Sequence, residues 1–167
     1  LRAAGRLMTT LVIVESPTKA KALKAYLGRD YSVRASLGHV RDLPAKELGV
    51  DLEADFKPAY RLLPNGRKTL PKLREAIAEA DVVVLATDPD REGEAIAWHI
   101  VEACRPQLKG RQVLRARFHE ITPAAVRAAL DHPEKLNMDL VRAQQARRIL
   151  DRLVGYQVSP VLWKAIA

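Results

Sequence analysis

The chain has 167 residues, 48% hydrophobic and 29% charged, enough to bury a core but too few for several independent domains. Lys and Arg outnumber Asp and Glu by 28 to 20, and this net charge of +8 favours polyanionic partners, nucleic acid first, although a merely solvated basic surface carries the same number. A single cysteine, Cys104, excludes an internal disulfide or a cysteine-based zinc site and reads as a helix-packing residue, and no run approaches the roughly 20 apolar residues of a membrane span.

Residues 1–7, LRAAGRL, precede Met8 and are too short and too polar for a signal peptide, so 1–9 reads as an extension or a disordered start. Leu11 to Glu15, LVIVE, is a β-branched apolar run of the length of a buried strand. Ser16 then offers an N-cap and Pro17 a first helical residue, with Ala20, Leu23 and Leu27 on one helix face and Gly28 as a stop. YSVRASL is a second strand. From Gly38 to Arg67, Pro44, Gly49, Pro58, Pro64 and Gly66 interrupt all periodicity, which predicts a long loop or insertion. Residues 68–80 have a helical stripe of Leu70, Leu73, Ile77 and Ala80. DVVVLAT is the clearest buried strand, Glu92 to Cys104 a helix, QVLRARF a strand, and Thr122–Pro123 a helix start. A last helix spans 139–154, with a packing stripe of Leu140, Ala143, Ala146, Ile149 or Leu150, and Leu153. Strands alternating with helices predict an α/β fold, Rossmann-like, with a mostly parallel four-stranded central sheet covered by helices on both faces. In such sheets ligands gather beyond the carboxyl ends of the strands.

That rule brings Glu15 and the acidic pattern Asp88–x–Asp90–x–Glu92 to one edge. Four carboxylates in a small volume would raise one another's pKa unless a cation neutralises them. Oxygen donors without His or Cys favour Mg²⁺, which keeps waters and binds phosphate oxygens, so the pattern points to phosphoryl-transfer chemistry. Alone, the acidic turn serves equally well as a solvated helix cap. Its place after VVVLAT, and a preceding strand ending in Glu15, favour the metal. Lys19 lies in the first turn of the first helix, beside Glu15, where free N–H groups and a mobile cation suit a phosphate. Each of the two residues alone would be an ordinary surface group.

Five segments, LVIVESPTKAKAL, SLGHVRDLP, LATDPDREGEAIAWHI, RARFHEIT and RAQQARRILDRLVGYQVSPVLWK, together resemble the amino-terminal region of bacterial type IA DNA topoisomerases, over about residues 10–167. The glutamate with Asp-x-Asp-x-Glu is the Toprim signature, and the resemblance implies a Toprim domain over 10–156, loop-rich at 38–67, with 157–167 opening a following domain. It implies a cytoplasmic, monomeric enzyme that uses Mg²⁺ and no ATP to cut, pass and reseal single strands of negatively supercoiled DNA. By the same resemblance, Glu15 is an acid/base and metal-site residue, Lys19 positions the scissile phosphate, and Asp88, Asp90 and Glu92 are the acidic triad. His39, Arg148, Arg152, Tyr156, Gln157 and Lys164 fall where the family contacts DNA. Arg117 and Glu120, at a strand end on the predicted edge, are supporting candidates. Against the functional reading, His39 is an ordinary polar loop residue and the Arg148–Arg152 face an ordinary solvated one; Arg147 and Asp151, four apart, can simply pair.

The family's nucleophilic tyrosine lies in a separate domain, and Tyr26, Tyr31, Tyr60 and Tyr156 do not stand in its motif. The resemblance therefore implies a fragment, inactive without the remaining topoisomerase domains. Two other functions fit the same residues: a stand-alone Toprim nuclease or primase-like enzyme, which needs only Mg²⁺, and a non-catalytic DNA-binding module indifferent to Mg²⁺.

Overall fold

The computed structural model describes residues 2–3, 6–159 and 161. In chain order its elements are β1 (Arg2–Ala3), β2 (Arg6–Leu7), β3 (Thr10–Val14), α1 (Pro17–Tyr26), β4 (Tyr31–Ala35), β5 (Arg41–Asp42), β6 (Val50–Asp51), β7 (Lys57–Pro58), β8 (Arg61–Leu62), α2 (Pro64–Glu79), β9 (Val82–Leu85), α3 (Arg91–Ala103), α4 (Arg105–Leu108), β10 (Gln112–Arg115), α5 (Pro123–Asp131) and α6 (Met138–Leu153), which runs into a π-helical turn at Val154–Val158.

The central sheet has the order β10-β9-β3-β4 and every pair is parallel. β3 and β9 are continuous apolar runs because both their faces are covered. Leu11, Ile13, Val83 and Leu85 pack with Leu70, Leu73 and Ile77 of α2 and Ile96 and Ile100 of α3. Val12, Val14, Val82 and Val84 face the other way, onto Ala20 and Leu23 of α1, Phe118, and Val126 of α5. Each such fully buried side chain stabilises the fold by roughly 1.5–3 kcal/mol. Cys104 is buried in the first of these layers, where desolvation pushes its thiol up, as befits a packing residue.

From β3 the chain crosses to β4 on one side, and from β9 to β10 on the other. The crevice between their carboxyl ends is thus the switch point at which such sheets bind ligands.

Three sequence expectations change. The 38–67 segment is ordered by two small antiparallel pairs, β5 with β8 and β6 with β7, and it buries Val40, Leu43 and Val50. α2 also begins at Pro64, four residues before the predicted 68, because Pro64–Asn65–Gly66 is a helix start and not a turn. Asn65 donates to the carbonyls of Leu37 and His39, both at 2.8 Å, and a Cβ on Gly66 would meet the Val40 carbonyl oxygen at 2.2 Å. The helix start is therefore clamped against the turn that carries His39.

The predicted packing stripe of α6 holds only in part. Leu140, Ile149 and Leu153 are half-buried, but Ala143 and Ala146 are exposed and Leu150 is 59% exposed, while Val141, Gln144 and Arg152 are buried. The helix packs its polar side inward because partners wait there: Glu92 for Gln144, Asp42 for Arg148, and the 44–47 loop for Arg152. No helix among the described residues is long and apolar enough to cross a membrane.

Candidate functional site

At the carboxyl end of β3, Glu15 precedes Ser16, whose hydroxyl caps α1 by accepting the Lys19 N–H at 3.1 Å. Pro17 occupies the helix start, where its missing N–H costs nothing. This cap turns Lys19 back over the sheet edge. Its side chain is only 4% exposed, and the ammonium lies 3.2 Å from Glu15 Oε1, 3.0 Å from Asp88 Oδ1 and 4.9 Å from the centre of the Phe118 ring. A buried ammonium needs such partners, and two carboxylates with one aromatic face supply them.

Asp90 caps α3, its Oδ1 accepting the Gly93 N–H at 2.7 Å, and the Thr87 hydroxyl donates to the Gly93 carbonyl at 2.7 Å. Gly93 is required here: a Cβ would lie 2.1 Å from the Asp88 carbonyl oxygen. Beneath the turn, Arg115 and Glu94 form a fully buried pair at 2.9 Å. The Arg115 guanidinium also donates to the carbonyls of Leu85, Ala116 and Asp88 at 2.7–2.9 Å, and Glu94 Oε1 accepts the Asn137 N–H at 2.6 Å. Burial lowers the Arg115 pKa, and the facing Glu94 carboxylate opposes that. Arg115 thus holds the backbone from which Asp88 projects.

Glu92, in the first turn of α3, meets His39 Nε2 through Oε1 and accepts from Gln144 Nε2 at 3.3 Å through Oε2. His39 is presented by the left-handed turn at Leu37 and Gly38, with φ of 60° and 80°. Behind it, Arg41 donates to His99 Nδ1 at 3.2 Å and lies over Tyr60 and Trp98. Burial, with the charges of Arg41 and His39, lowers the His99 pKa to about 3, so this residue packs as a neutral ring.

The four carboxylates do not all converge. Among the described residues no three His, Cys, Asp or Glu side chains gather closely enough to hold one ion. The reason is electrostatic: Lys19 neutralises Glu15 and Asp88, His39 and Gln144 engage Glu92, and Asp90 is held by its cap. The donor set still fits a hard divalent cation. Asp88 is 60% exposed, Asp90 is exposed, and both offer oxygen alone.

Residues 10–121 match the family described as the Toprim domain. This chain belongs to the Toprim family. It is 53% identical to DNA topoisomerase 1 of Mycobacterium tuberculosis, over 94% of this chain and 18% of that protein. With DNA topoisomerase 1 of Streptomyces coelicolor the identity is 52%, over 93% of this chain and 17% of the relative. The solved structure of full-length topoisomerase I from Thermotoga maritima superposes with a TM-score of 0.83 at 48% identity, covering 92% of this chain and 26% of that one. The chain thus spans less than a fifth of the length of the curated relatives it matches.

Around the Toprim edge, the remaining sequence candidates take varied places. Arg148 forks onto Asp42 at 2.9 and 2.7 Å and stays about one-third exposed, lining an open cavity with His39, Arg91, Glu92, Gln144 and Arg147. Its bonds to Asp42 raise the Arg148 pKa. Burial pushes the Asp42 carboxyl up, but Arg148, the Leu43 N–H and the charge of His39 together hold it below its ordinary value. Arg147 and Asp151 pair at 3.7 Å. Arg152 is buried, donates to the carbonyls of Pro44 and Glu47, and lies 5.3 Å from the Tyr156 ring, whose hydroxyl donates to Ala45. These two residues pin the 44–47 loop to α6. Gln157 is exposed in the π-helical turn, and Lys164 lies outside the described residues. Arg117 pairs with Glu134, and Glu120 accepts from the Thr122 hydroxyl. The arginine that supports the site is Arg115, two positions earlier. Sequence reasoning missed it and Glu94 because a buried ion pair leaves no periodic signal in a strand and a helix that otherwise read as apolar.

Proposed function

We propose that this chain is the Toprim domain of a type IA DNA topoisomerase, reaching from residue 10 to about 156, and that its β3–β9 edge holds Mg²⁺ and the scissile phosphate of single-stranded DNA. The observation that carries the reading is the buried Lys19 ammonium, poised between Glu15 and Asp88 at the switch point of a parallel sheet.

Lys19 is the residue to bind a phosphate oxygen: a phosphate entering the edge would compete with the two carboxylates for an ammonium already stripped of water. Glu15, within reach of Lys19, is placed to hold or release a proton at the oxygen that leaves phosphorus. Asp88 and Asp90 would hold Mg²⁺, with the remaining positions filled by water and phosphate. When bound, the ion supplies neutralisation and polarisation of the phosphoryl group. His39 would then contact the DNA from the turn clamped by Asn65, with Glu92 and Gln144 orienting the ring. Arg148 extends this surface along the strand, and its partner Asp42 sets the fork.

The four tyrosines give no nucleophile to this edge. Tyr26 and Tyr31 line a cavity at the opposite, amino-terminal end of the sheet strands, Tyr60 packs edge-on against Trp98 and His99, and Tyr156 is bonded to Ala45. The chain prepares a phosphate that a tyrosine outside these four would attack, in a cytoplasmic protein with further topoisomerase domains.

The test is incubation with end-labelled single-stranded DNA and Mg²⁺. The intact oligonucleotide is the expected product. Phosphodiester cleavage by this chain would favour a stand-alone nuclease and overturn the proposal.

A further inference from the structure

Away from this edge, the chain concentrates cations with no counter-charge. Lys21 and Lys24 of α1, Arg34 on β4, and Lys68 and Lys72 of α2 line one open groove of about 520 Å³, and no carboxylate lines it with them. All five are exposed, and none takes part in an ion pair among the described residues. Among the described residues, the only side-chain hydrogen bond these five make is Arg34 to the Val33 carbonyl at 3.1 Å. Elsewhere among the described residues, Arg115, Arg117, Arg142 and Arg148 pair with Glu94, Glu134, Asp139 and Asp42.

The arrangement works against helix stability when nothing is bound. Lys21 and Lys24 are three apart on α1, and Lys68 and Lys72 four apart on α2, spacings at which like charges repel. The groove floor is a sheet edge, since among the described residues β4 pairs only with β3. Its lining includes Pro17, which opens the helix of Lys19, and Leu37, two residues before His39. The groove therefore runs up to the carboxyl edge that holds the candidate site. It contains no aromatic side chain on which a base could stack.

We propose that this groove carries the phosphate backbone of a single nucleic-acid strand leading to or from the Lys19 edge, without reading its bases. The inference rests on the phosphate-handling reading of that edge and adds a separate binding surface to it. Five unpaired cations beside a free strand edge are the footprint of backbone tracking, in which affinity comes from released counterions. Without stacking or base contacts, the surface discriminates little between sequences.

The experiment measures binding of a fluorescein-labelled single-stranded oligonucleotide to the full chain by anisotropy, over a series of salt concentrations. The variant Lys21→Gln/Lys24→Gln/Lys68→Gln/Lys72→Gln should bind more weakly, with a log–log salt slope shallower by about 2.8, four contacts at about 0.7 each. Replacing the same four residues by arginine should keep the slope. A control with equal charge loss elsewhere, Lys57→Gln/Arg127→Gln/Lys109→Gln/Lys135→Gln, should change it far less. Equal effects of groove and control variants would reduce the groove to net charge and overturn the proposal. Labelled polyglutamate that binds more tightly than the oligonucleotide at equal ionic strength, and loses that binding in the Gln variant, would overturn it in favour of an acidic-peptide site. Lys19→Gln separates the two readings. If it weakens binding and the groove variant does not, the groove fails alone; if neither does, the nucleic-acid reading of the whole edge fails.

Discussion

Replacing Glu94 by leucine tests what holds the acidic turn in place. In the wild type Glu94 and Arg115 are both wholly buried, 2.9 Å apart. Arg115 directs its Nε to Glu94 and its two terminal nitrogens to three carbonyls, those of Leu85, Ala116 and Asp88. Glu94→Leu preserves bulk but strands a guanidinium in the core and leaves the Asn137 N–H without its acceptor. Removing one partner of a buried pair typically costs about 3–5 kcal/mol. For a domain of this size that is a fall in Tm of roughly 6–20 °C. Urea unfolding followed by circular dichroism, with m unchanged, would read the loss directly. Adding Arg115→Met should recover part of it, because the stranded charge is gone, while the three carbonyls that Arg115 capped keep recovery incomplete. A single-variant loss under about 1 kcal/mol would refute the claim that this pair is the clamp under Asp88.

Two further outcomes follow from charge. The folded chain keeps His99 neutral down to about pH 3, whereas the unfolded chain protonates it near its ordinary value, so its contribution is intact above about pH 6.5 and falls as pH drops toward 3, by roughly 1.4 kcal/mol per pH unit. His99→Gln should flatten the stability–pH curve between those limits, and an unchanged curve would assign acid sensitivity to other groups. Arg148→Ala should weaken single-stranded DNA binding and make the salt slope shallower by about 0.7, one phosphate contact. An unaltered slope would leave Arg148 as the partner of Asp42 alone.

The sheet was legible because its strands are buried on both faces: LVIVE and DVVVLAT are continuous apolar runs bounded by a cap and an acidic turn. The meeting of Glu15, Lys19 and Asp88 was legible for a related reason, since parallel strands must end at one edge. What stayed hidden depends on contacts between distant segments. The order of 38–67 comes from pairing Arg41 with Leu62 and Val50 with Pro58, which no local period announces. The face of α6 was misread in part because its inward side also carries polar residues satisfied by Glu92, Asp42 and the 44–47 loop, while Ala143, Ala146 and Leu150 point outward. Arg152 and Tyr156 matched a DNA-contact pattern, yet here they grip a loop. The cation groove was missed because its five members come from three elements separated by up to 51 positions, Lys21 to Lys72.

The most direct measurement is calorimetric titration of Mg²⁺ into the chain in the presence of a single-stranded oligonucleotide. The wild type should give a binding isotherm, and Asp88→Asn/Asp90→Asn should abolish it while the far-UV circular dichroism stays that of the wild type, since Glu15 still faces Lys19 and asparagine can still cap α3. Equal Mg²⁺ binding by the double variant would show that these carboxylates do not hold the ion, and the account of the β3–β9 edge would fail.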